Sequence, residues 1–271
     1  MTMIEATFRK LKAKDETALI GYITAGVPAP EDTVDIASAL IQGGVDILEL
    51  GVPFSDPIAD GPTIQEAAHK SLKLGVTVQK VFSMVEEIKA KHTVPIALLT
   101  YYNTIYHMGI ENFMETGQRH KVDGLIVPDL PVEESKDYQI AAKKYHIDTI
   151  FLVSPATSIE RFRKIEEATS GFLYIVSLYG ITGVRSSIEN NTLELVKRFT
   201  QYSSGNVNLA VGFGISKPEH VKQIVAAGAG GAIVGSAFVK IINQGLTKDI
   251  LLQRIEELAA ELKQPTRSKT I

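Results

Sequence analysis

The apolar residues of the 271-residue chain follow two alternating patterns. Short runs rich in Val, Ile and Leu predict buried strands, and longer stretches with apolar residues every three or four positions predict amphipathic helices. Eight strands are predicted, at residues 18–24, 45–50, 95–100, 124–127, 149–153, 172–177, 207–211 and 232–234. Helices are predicted at residues 4–14, 31–42, 63–74, 78–92, 110–120, 132–145, 158–168, 192–202, 218–227 and 246–262. Strands and helices therefore alternate along almost the whole chain.

Strict alternation of strands and helices predicts parallel strands covered by helices, because each crossover must return on the same side of the sheet. Eight such units without a linker predict a single α/β domain over residues 1–271, a (β/α)₈ TIM barrel. The barrel has an extra N-terminal helix and a short extra helix after the eighth strand, at residues 237–243. An open doubly wound sheet is the alternative, but no Gly-x-Gly-x-x-Gly or Walker loop follows any strand. Residues 263–271 are expected to be disordered.

Composition excludes several classes of function. With 28 basic and 31 acidic residues, a net charge of -3 and no block of like charge, nucleic-acid binding is not expected as the main role. The chain has no cysteine, so disulfides, thiolate metal sites and a cysteine nucleophile are impossible. Its six histidines form no HExxH motif or close pair, which argues against metal catalysis.

The sequence carries no sign of export or membrane insertion. Its first 16 residues contain charges throughout and lack the apolar core of a secretory signal. No apolar run approaches the roughly 18 residues that a membrane span needs. We therefore expect a soluble, cytoplasmic protein.

The strand at residues 45–50 runs into a loop rich in Gly, Pro and Asp, which makes this stretch a candidate site. Alternation along the strand places Glu49 on the same face as Ile47, among apolar neighbours where a carboxylate is costly unless it has a partner or a role. Asp60 follows eleven positions later, and the two carboxylates could converge on one pocket. The alternatives are that Glu49 only reaches solvent or caps the loop, and that Asp60 is only a turn residue.

Two glycine clusters, at residues 212–216 and 235–236, follow the last two predicted strands. Glycine lets backbone N–H groups approach an anion, and barrels often bind phosphate with these two loops and a short extra helix. The alternative is that the glycines only make tight turns and that Ser236 only caps a helix.

Other residues at the strand ends suit a closed, flat pocket. Residues 178–191 form a long loop with glycines, which suits a lid, although a surface loop is the alternative. Four aromatic residues lie on or beside strand ends and could line an aromatic-binding pocket, although each is individually typical of core packing: Tyr22, Tyr101, Tyr174 and Phe213.

Residues 49–57, ELGVPFSDP, and residues 59–65, ADGPTIQ, closely resemble the signature of the tryptophan synthase alpha chain family. The segments PVEES at 131–135, GFGIS at 212–216 and GSA at 235–237 match the family as well, at the expected separations. The resemblance covers essentially the whole chain, and the first motif is long enough to be highly specific.

The resemblance implies a (β/α)₈ barrel that cleaves indole-3-glycerol phosphate to indole and glyceraldehyde 3-phosphate, a lyase reaction of tryptophan biosynthesis. No cofactor is implied for this chain. A beta chain that carries pyridoxal phosphate is implied as the partner, in an α₂β₂ complex that channels indole. A free-standing indole-glycerol phosphate lyase and a catalytically idle barrel that binds a sugar phosphate are the alternatives.

The resemblance also implies roles for individual residues. Glu49 is the acid/base that protonates indole C3 and takes the glycerol hydroxyl proton, and Asp60 interacts with the indole N–H. The implied substrate-binding residues are Tyr22, Leu99, Tyr101, Tyr174, Thr182, Gly183, Phe213, Gly214, Gly235 and Ser236. Those implied near the partner surface are Pro53, Asp56 and Asn103. The chain departs from many members in having Tyr22 where they have Phe, and in lid residues 178–181.

Overall fold

The computed structural model describes residues 1–176, 190–212 and 214–267, and these contain nine parallel strand segments with helices between them. The strands are β1 (Ala18–Thr24), β2 (Ile47–Gly51), β3 (Ile96–Leu99), β4 (Gly124–Ile126), β5 (Asp148–Ile150), β6 (Leu152–Val153), β7 (Phe172–Val176), β8 (Asn208–Gly212) and β9 (Gly231–Val234). The helices are α1 (Met3–Ala13), α2 (Thr33–Gln42), α3 (Pro62–Lys73), α4 (Val78–Lys91), α5 (Tyr102–Met108), α6 (Ile110–Arg119), α7 (Lys136–Lys144), α8 (Ile159–Ala168), α9 (Asn190–Tyr202), α10 (Pro218–Ala226), α11 (Ser236–Ile242) and α12 (Lys248–Lys263). Short 3₁₀ helices lie at Pro30–Asp32, Val132–Glu134 and Gln264–Thr266.

The strand order shows how the barrel closes. Along the sheet the order is β5-β4-β3-β2-β1-β9-β8-β7-β6, so the two ends of the sheet are consecutive pieces of chain. β5 pairs with β4, and β6, one residue further on, pairs with β7. The predicted fifth strand is therefore one strand in two pieces, each bonded to a different neighbour. The predicted (β/α)₈ fold is confirmed as a nearly closed barrel.

The interior of the barrel and its lower end are filled with apolar side chains. Ile20, Ile47 and Phe172 point inward from their strands, and Phe8 of α1 packs beneath them, with its ring centroid 6.0 Å from that of Phe172. Thr2 caps α1 with a reciprocal hydrogen-bond pair to Glu5, which fixes the start of the helix. α1 therefore plugs the amino-terminal end of the barrel, and the carboxyl ends of the strands are the end at which barrels carry their sites.

Two helical features differ from the sequence prediction. α5 was not predicted, because only Ile105 among its seven residues is buried and so short a helix shows no apolar period. The predicted helix at 132–145 is interrupted near Ser135, where a 3₁₀ turn precedes α7. In the part of the chain that the structure describes, we find no helix with the length and apolar character to cross a bilayer.

The prediction that the tail from residue 263 onward is disordered was wrong for residues 263–267. Lys263 is only 4% exposed, and its ammonium group lies 2.7 Å from Oδ2 of Asp46. The same oxygen accepts the N–H of Leu19 at 2.7 Å, and the N–H of Thr17 donates to the carbonyl of Thr266 at 2.9 Å. Asp46 and Thr17 lie more than 200 positions before the tail residues that they contact, so the polar local sequence of the tail could not predict these contacts. Residues 268–271 lie outside the described residues.

Candidate active site

Glu49 lies inside the barrel near the carboxyl end of β2. Its neighbours in the strand, Leu48 and Leu50, pack outward against the helices, whereas Ile47 faces the barrel interior, as the predicted alternation requires. The Glu49 side chain is 1% exposed, and its Oε2 atom has no hydrogen-bond partner among the described residues. Burial, with a smaller contribution from the charge of Asp60, raises the pKa of Glu49 to about 8. Glu49 therefore holds its proton at neutral pH.

Asp60 is carried by the loop between β2 and α3 and is held by a tyrosine from the end of β3. The hydroxyl of Tyr101 donates to Oδ2 of Asp60 at 3.1 Å and accepts the N–H of Ala59 at 3.0 Å. Burial raises the pKa of Asp60 to about 6, and the hydrogen bond from Tyr101 opposes this rise. Asp60 is therefore mostly ionised at neutral pH.

The two carboxyl groups share one electrostatic environment, since the charge of Asp60 acts directly on the pKa of Glu49. One group is kept protonated and the other is kept charged. A neutral acid beside a carboxylate is the arrangement that proton transfer and stabilisation of a cation require. The structure thus brings together the two residues that the sequence singled out, and it makes an acid/base role for Glu49 chemically reasonable.

Aromatic side chains surround the two carboxyls. Tyr22 is paired in register with Glu49 across the sheet, and its hydroxyl is hydrogen-bonded to that of Thr24 at 3.2 Å. Burial raises the pKa of both Tyr22 and Tyr174, and the charges of Asp60 and Glu49 raise it further. The ring of Phe54 stacks on Tyr101 with centroids 5.0 Å apart. Together with the partly buried Leu99 at the end of β3, these residues supply the flat, apolar surfaces that an aromatic ligand requires.

Glycines at two strand ends make room for the tyrosines. A Cβ atom on Gly51 would lie 2.3 Å from the hydroxyl oxygen of Tyr22, and a Cβ atom on Gly212 would lie 2.3 Å from that of Tyr174. Both distances are far below van der Waals contact. The positions of the two rings therefore depend on the absence of side chains at these glycines.

We expect Gly51→Ala to displace Tyr22 and to weaken substrate binding. The displacement should cost about 1–3 kcal/mol of stability, as overpacking in a core does, and the KM for substrate should rise. Urea unfolding and steady-state kinetics measure the two effects. Adding Tyr22→Leu, which shortens the clashing side chain, should restore part of the lost stability. Unchanged stability and KM in Gly51→Ala would show that the ring adapts freely.

The residues expected to bind phosphate lie at the ends of the last two strands. Gly214 follows β8 with a φ of +73°, a conformation that favours glycine, and Nδ1 of His220 lies 3.0 Å from its carbonyl oxygen. Gly235 and the exposed Ser236 join β9 to α11. Thr182, Gly183 and Phe213 lie outside the described residues, as does most of the predicted lid.

The residues expected at a partner surface differ in exposure. Asp56 and Asn103 are exposed on the loops and helix that follow β2 and β3, whereas Pro53 is buried within the chain. Two apolar side chains beside them were missed by the sequence interpretation, Ile58 at 81% and Tyr106 at 72% exposure. Exposed apolar residues carry no periodic signal in a loop or a short helix, so only the structure reveals them.

A cleft of about 850 Å³ lies at the opposite end of the barrel, between α1, α8 and the segment before β8. Its charged lining mixes both signs, including Arg9 and Arg163 with Glu5 and Glu167. This mixture specifies no charge for a ligand. The carboxyl ends of the strands, where the buried carboxyls and aromatic rings meet, remain the candidate active site.

Comparison with known proteins agrees with this geometry. Residues 8–267 match the family model described as "Tryptophan synthase alpha chain". The tryptophan synthase alpha chain of Methanopyrus kandleri is 46% identical over 265 residues, covering 98% of this chain and 95% of that protein. The one from Arabidopsis thaliana is 44% identical over 260 residues, covering 96% and 94%.

Solved structures give the same result. Tryptophan synthase from Mycobacterium tuberculosis matches with a TM-score of 0.89 and 34% identity, covering 98% of this chain and 99% of that chain. A tryptophan synthase complex from Pyrococcus furiosus matches with a TM-score of 0.84 and 39% identity, covering 92% and 98%. Together with the family model, which spans most of the sequence, these similarities show that the chain belongs to the tryptophan synthase alpha chain family.

Proposed function

We propose that this chain performs the lyase reaction of its family, the cleavage of indole-3-glycerol phosphate to indole and glyceraldehyde 3-phosphate, and that Glu49 and Asp60 carry it out. The observation that supports this assignment is the pair of carboxyls at the open end of the barrel, one with a pKa of about 8 and the other of about 6. At neutral pH this pair supplies one proton and one negative charge within an apolar space.

Each step of the cleavage uses one of these groups. Glu49 donates its proton to C3 of the indole ring, which leaves a positive charge centred on the ring nitrogen. The Asp60 carboxylate stabilises that charge and accepts the indole N–H. Glu49, now ionised, takes the proton of the hydroxyl next to C3. The C–C bond breaks, its electron pair returns to the ring as indole, and the hydroxyl carbon becomes the aldehyde.

The remaining parts of the substrate have separate places in the site. Tyr22, Leu99, Tyr101 and Tyr174 surround the indole ring. The phosphate lies at the ends of β8 and β9, bound by backbone N–H groups around Gly214 and Gly235 and by the Ser236 hydroxyl. By the family resemblance, Gly183 and Phe213 are assigned to the same phosphate site, and Thr182 to the lid that closes on Asp60. The steps above move protons and break one C–C bond without an electron acceptor, and they need no cofactor in this chain.

A beta chain carrying pyridoxal phosphate is the proposed partner, in an α₂β₂ complex that passes indole directly to it. The solved Pyrococcus furiosus relative is a tryptophan synthase complex, which supports assembly. On this chain the exposed side chains of Asp56, Ile58, Asn103 and Tyr106 lie on two successive strand-end segments and combine apolar area with polar groups. That mixture is typical of protein interfaces.

The function is tested by indole release from indole-3-glycerol phosphate, measured with the purified chain alone and with a matching beta chain. We expect slow release that rises sharply when the partner is added. Fast release by the chain alone would instead indicate a free-standing lyase. No release in either condition would contradict the proposed function and favour an idle sugar-phosphate-binding barrel.

We expect Asp60→Asn to lower kcat by about 10²-fold, because the amide keeps the shape of the carboxylate but not the charge that stabilises the indole cation. The pH profile gives a second readout. In the wild type, kcat/KM should fall as the pH drops below about 6, where Asp60 becomes protonated, and this acid limb should disappear in the variant. Near-normal turnover by Asp60→Asn would remove Asp60 from the mechanism.

A further inference from the structure

Gln65 lies in the first turn of α3, five residues after Asp60, and its side chain reaches back over the loop. Its Nε2 atom donates to the carbonyl oxygen of Asp60 at 2.9 Å and lies 3.4 Å from that of Pro57. One amide group therefore joins both ends of the segment 57–60. The Gln65 side chain is half-buried, which limits competition from water.

The segment 57–60 has a second attachment on its other side. The Tyr101 hydroxyl bonds to the N–H of Ala59 and to the carboxylate of Asp60, as described above. Within the segment, the N–H of Asp60 donates to the carbonyl of Pro57 at 3.0 Å. The backbone and the side chain of Asp60 are thus held from the end of β3 by Tyr101 and from α3 by Gln65.

The surroundings of Asp60 explain why an attachment from α3 is needed. Asp56, Ile58 and Ala59 are exposed, so packing holds this part of the loop only through the buried Pro57. On the other side of Asp60, Gly61 is the N-cap of α3, makes no side-chain capping bond, and has open space around the place a Cβ would occupy. The Ile64 and Gln65 N–H groups both donate to the Gly61 carbonyl. The Asp60 carbonyl accepts its hydrogen bond from the Gln65 side chain.

We propose that Gln65 is a positioning residue for the cleavage reaction, which holds the Asp60 peptide so that its carboxylate stays on the Tyr101 hydroxyl and faces the indole nitrogen. This inference rests on the proposed function, since it assigns Asp60 the role described there. Gln65 does not touch the substrate. It acts through the backbone of residue 60, where a displacement of about 1 Å is enough to lower the rate about 10²-fold.

The test compares three substitutions on α3. Gln65→Met keeps the length of the side chain but removes its donor, and it should lower kcat by about 10-fold to 100-fold with KM changed less than about threefold. Gln65→Lys keeps a donor of similar reach and should recover most of the loss. Glu66→Gln, at an exposed neighbour whose ion pair with Lys70 lies on the surface, is the matched control and should retain wild-type rates.

A double-mutant cycle separates positioning from general damage to the fold. If Gln65 acts only through Asp60, adding Gln65→Met to Asp60→Asn should cause little further loss of kcat. Three results would each overturn the inference: losses of kcat that multiply in the double mutant, a loss confined to KM, or a Gln65→Met variant with wild-type kcat. If the wild-type chain with its partner releases no indole, the proposed function fails on that measurement, without any variant.

Titration of the Asp60 carboxyl carbon by NMR, in chains with labelled aspartate, tests the inference without turnover. The Tyr101 hydrogen bond lowers the pKa of Asp60. Burial raises the pKa of Asp60, and a displaced carboxyl loses part of this burial together with the Tyr101 hydrogen bond, so the pKa in Gln65→Met should differ from the wild-type value. An unchanged pKa in Gln65→Met would overturn the inference, whatever the activity of the chain.

Discussion

Glu49→Gln is expected to lower kcat for indole release by several orders of magnitude. A positioned acid/base is typically worth about 10²-fold to 10⁴-fold, and Glu49 serves in two proton transfers, so we expect the upper part of that range. Gln has nearly the same shape and fills the same buried position, but it can neither supply the proton for C3 nor accept the one from the hydroxyl. Steady-state kinetics with the beta chain present measure the loss.

The same substitution should leave substrate binding largely intact, because the aromatic rings and the phosphate-binding residues are unchanged. KM should therefore change much less than kcat. Glu66→Gln makes the same chemical change at an exposed site, and it controls for effects of mutagenesis and purification. Wild-type turnover by Glu49→Gln would deprive both lyase hypotheses of their mechanism.

The second large effect concerns stability, because Glu49 binds its proton more tightly in the folded chain than in the unfolded one. Its pKa is about 8 when folded, against 4.5 ordinarily. Between these two pH values the folded state holds more protons than the unfolded state, so the free energy of unfolding falls as the pH rises. At 1.36 kcal/mol per unit of pKa, the loss contributed by Glu49 reaches about 3–5 kcal/mol above pH 8.

Glu49→Gln removes this loss, since the amide does not titrate. We expect the variant and the wild type to differ least below about pH 4.5, where Glu49 is protonated in both states, and the variant to be the more stable by about 3–5 kcal/mol at pH 9. Urea unfolding at pH 5, 7 and 9 measures the difference. If the two stability curves ran parallel across this range, Glu49 would have the same proton affinity in both states and its burial would carry no electrostatic cost.

Sequence alone could predict the parts of the site that depend on local pattern. The inward direction of Glu49 follows from the two-residue period of a strand, which is a property of adjacent residues. The motif at 49–65 placed Asp60 in the same loop. What holds Asp60, however, is the hydroxyl of Tyr101, 41 positions later, and no local pattern encodes that contact.

Features that depend on pairing between distant segments were outside the reach of the sequence. The fifth strand is apolar from Ile150 to Val153, so its sequence shows no break. Its division at Phe151 arises because β5 bonds to β4 while β6 bonds to β7. The contact of Gly51 with Tyr22 likewise depends on the register between β1 and β2. The sequence therefore indicated which residues are candidates for the site. It did not indicate how they contact one another or which of them are protonated.

The attachment of the tail has a consequence for synthesis on the ribosome. Asp46 and Thr17, at the starts of the first two strands, receive partners from Lys263 and Thr266. During translation the amino-terminal strands emerge long before those partners exist, and the Asp46 carboxylate must stay hydrated until the last helix leaves the exit tunnel. The nascent amino-terminal half therefore cannot reach its final state until α12 and Thr266 have emerged from the ribosome.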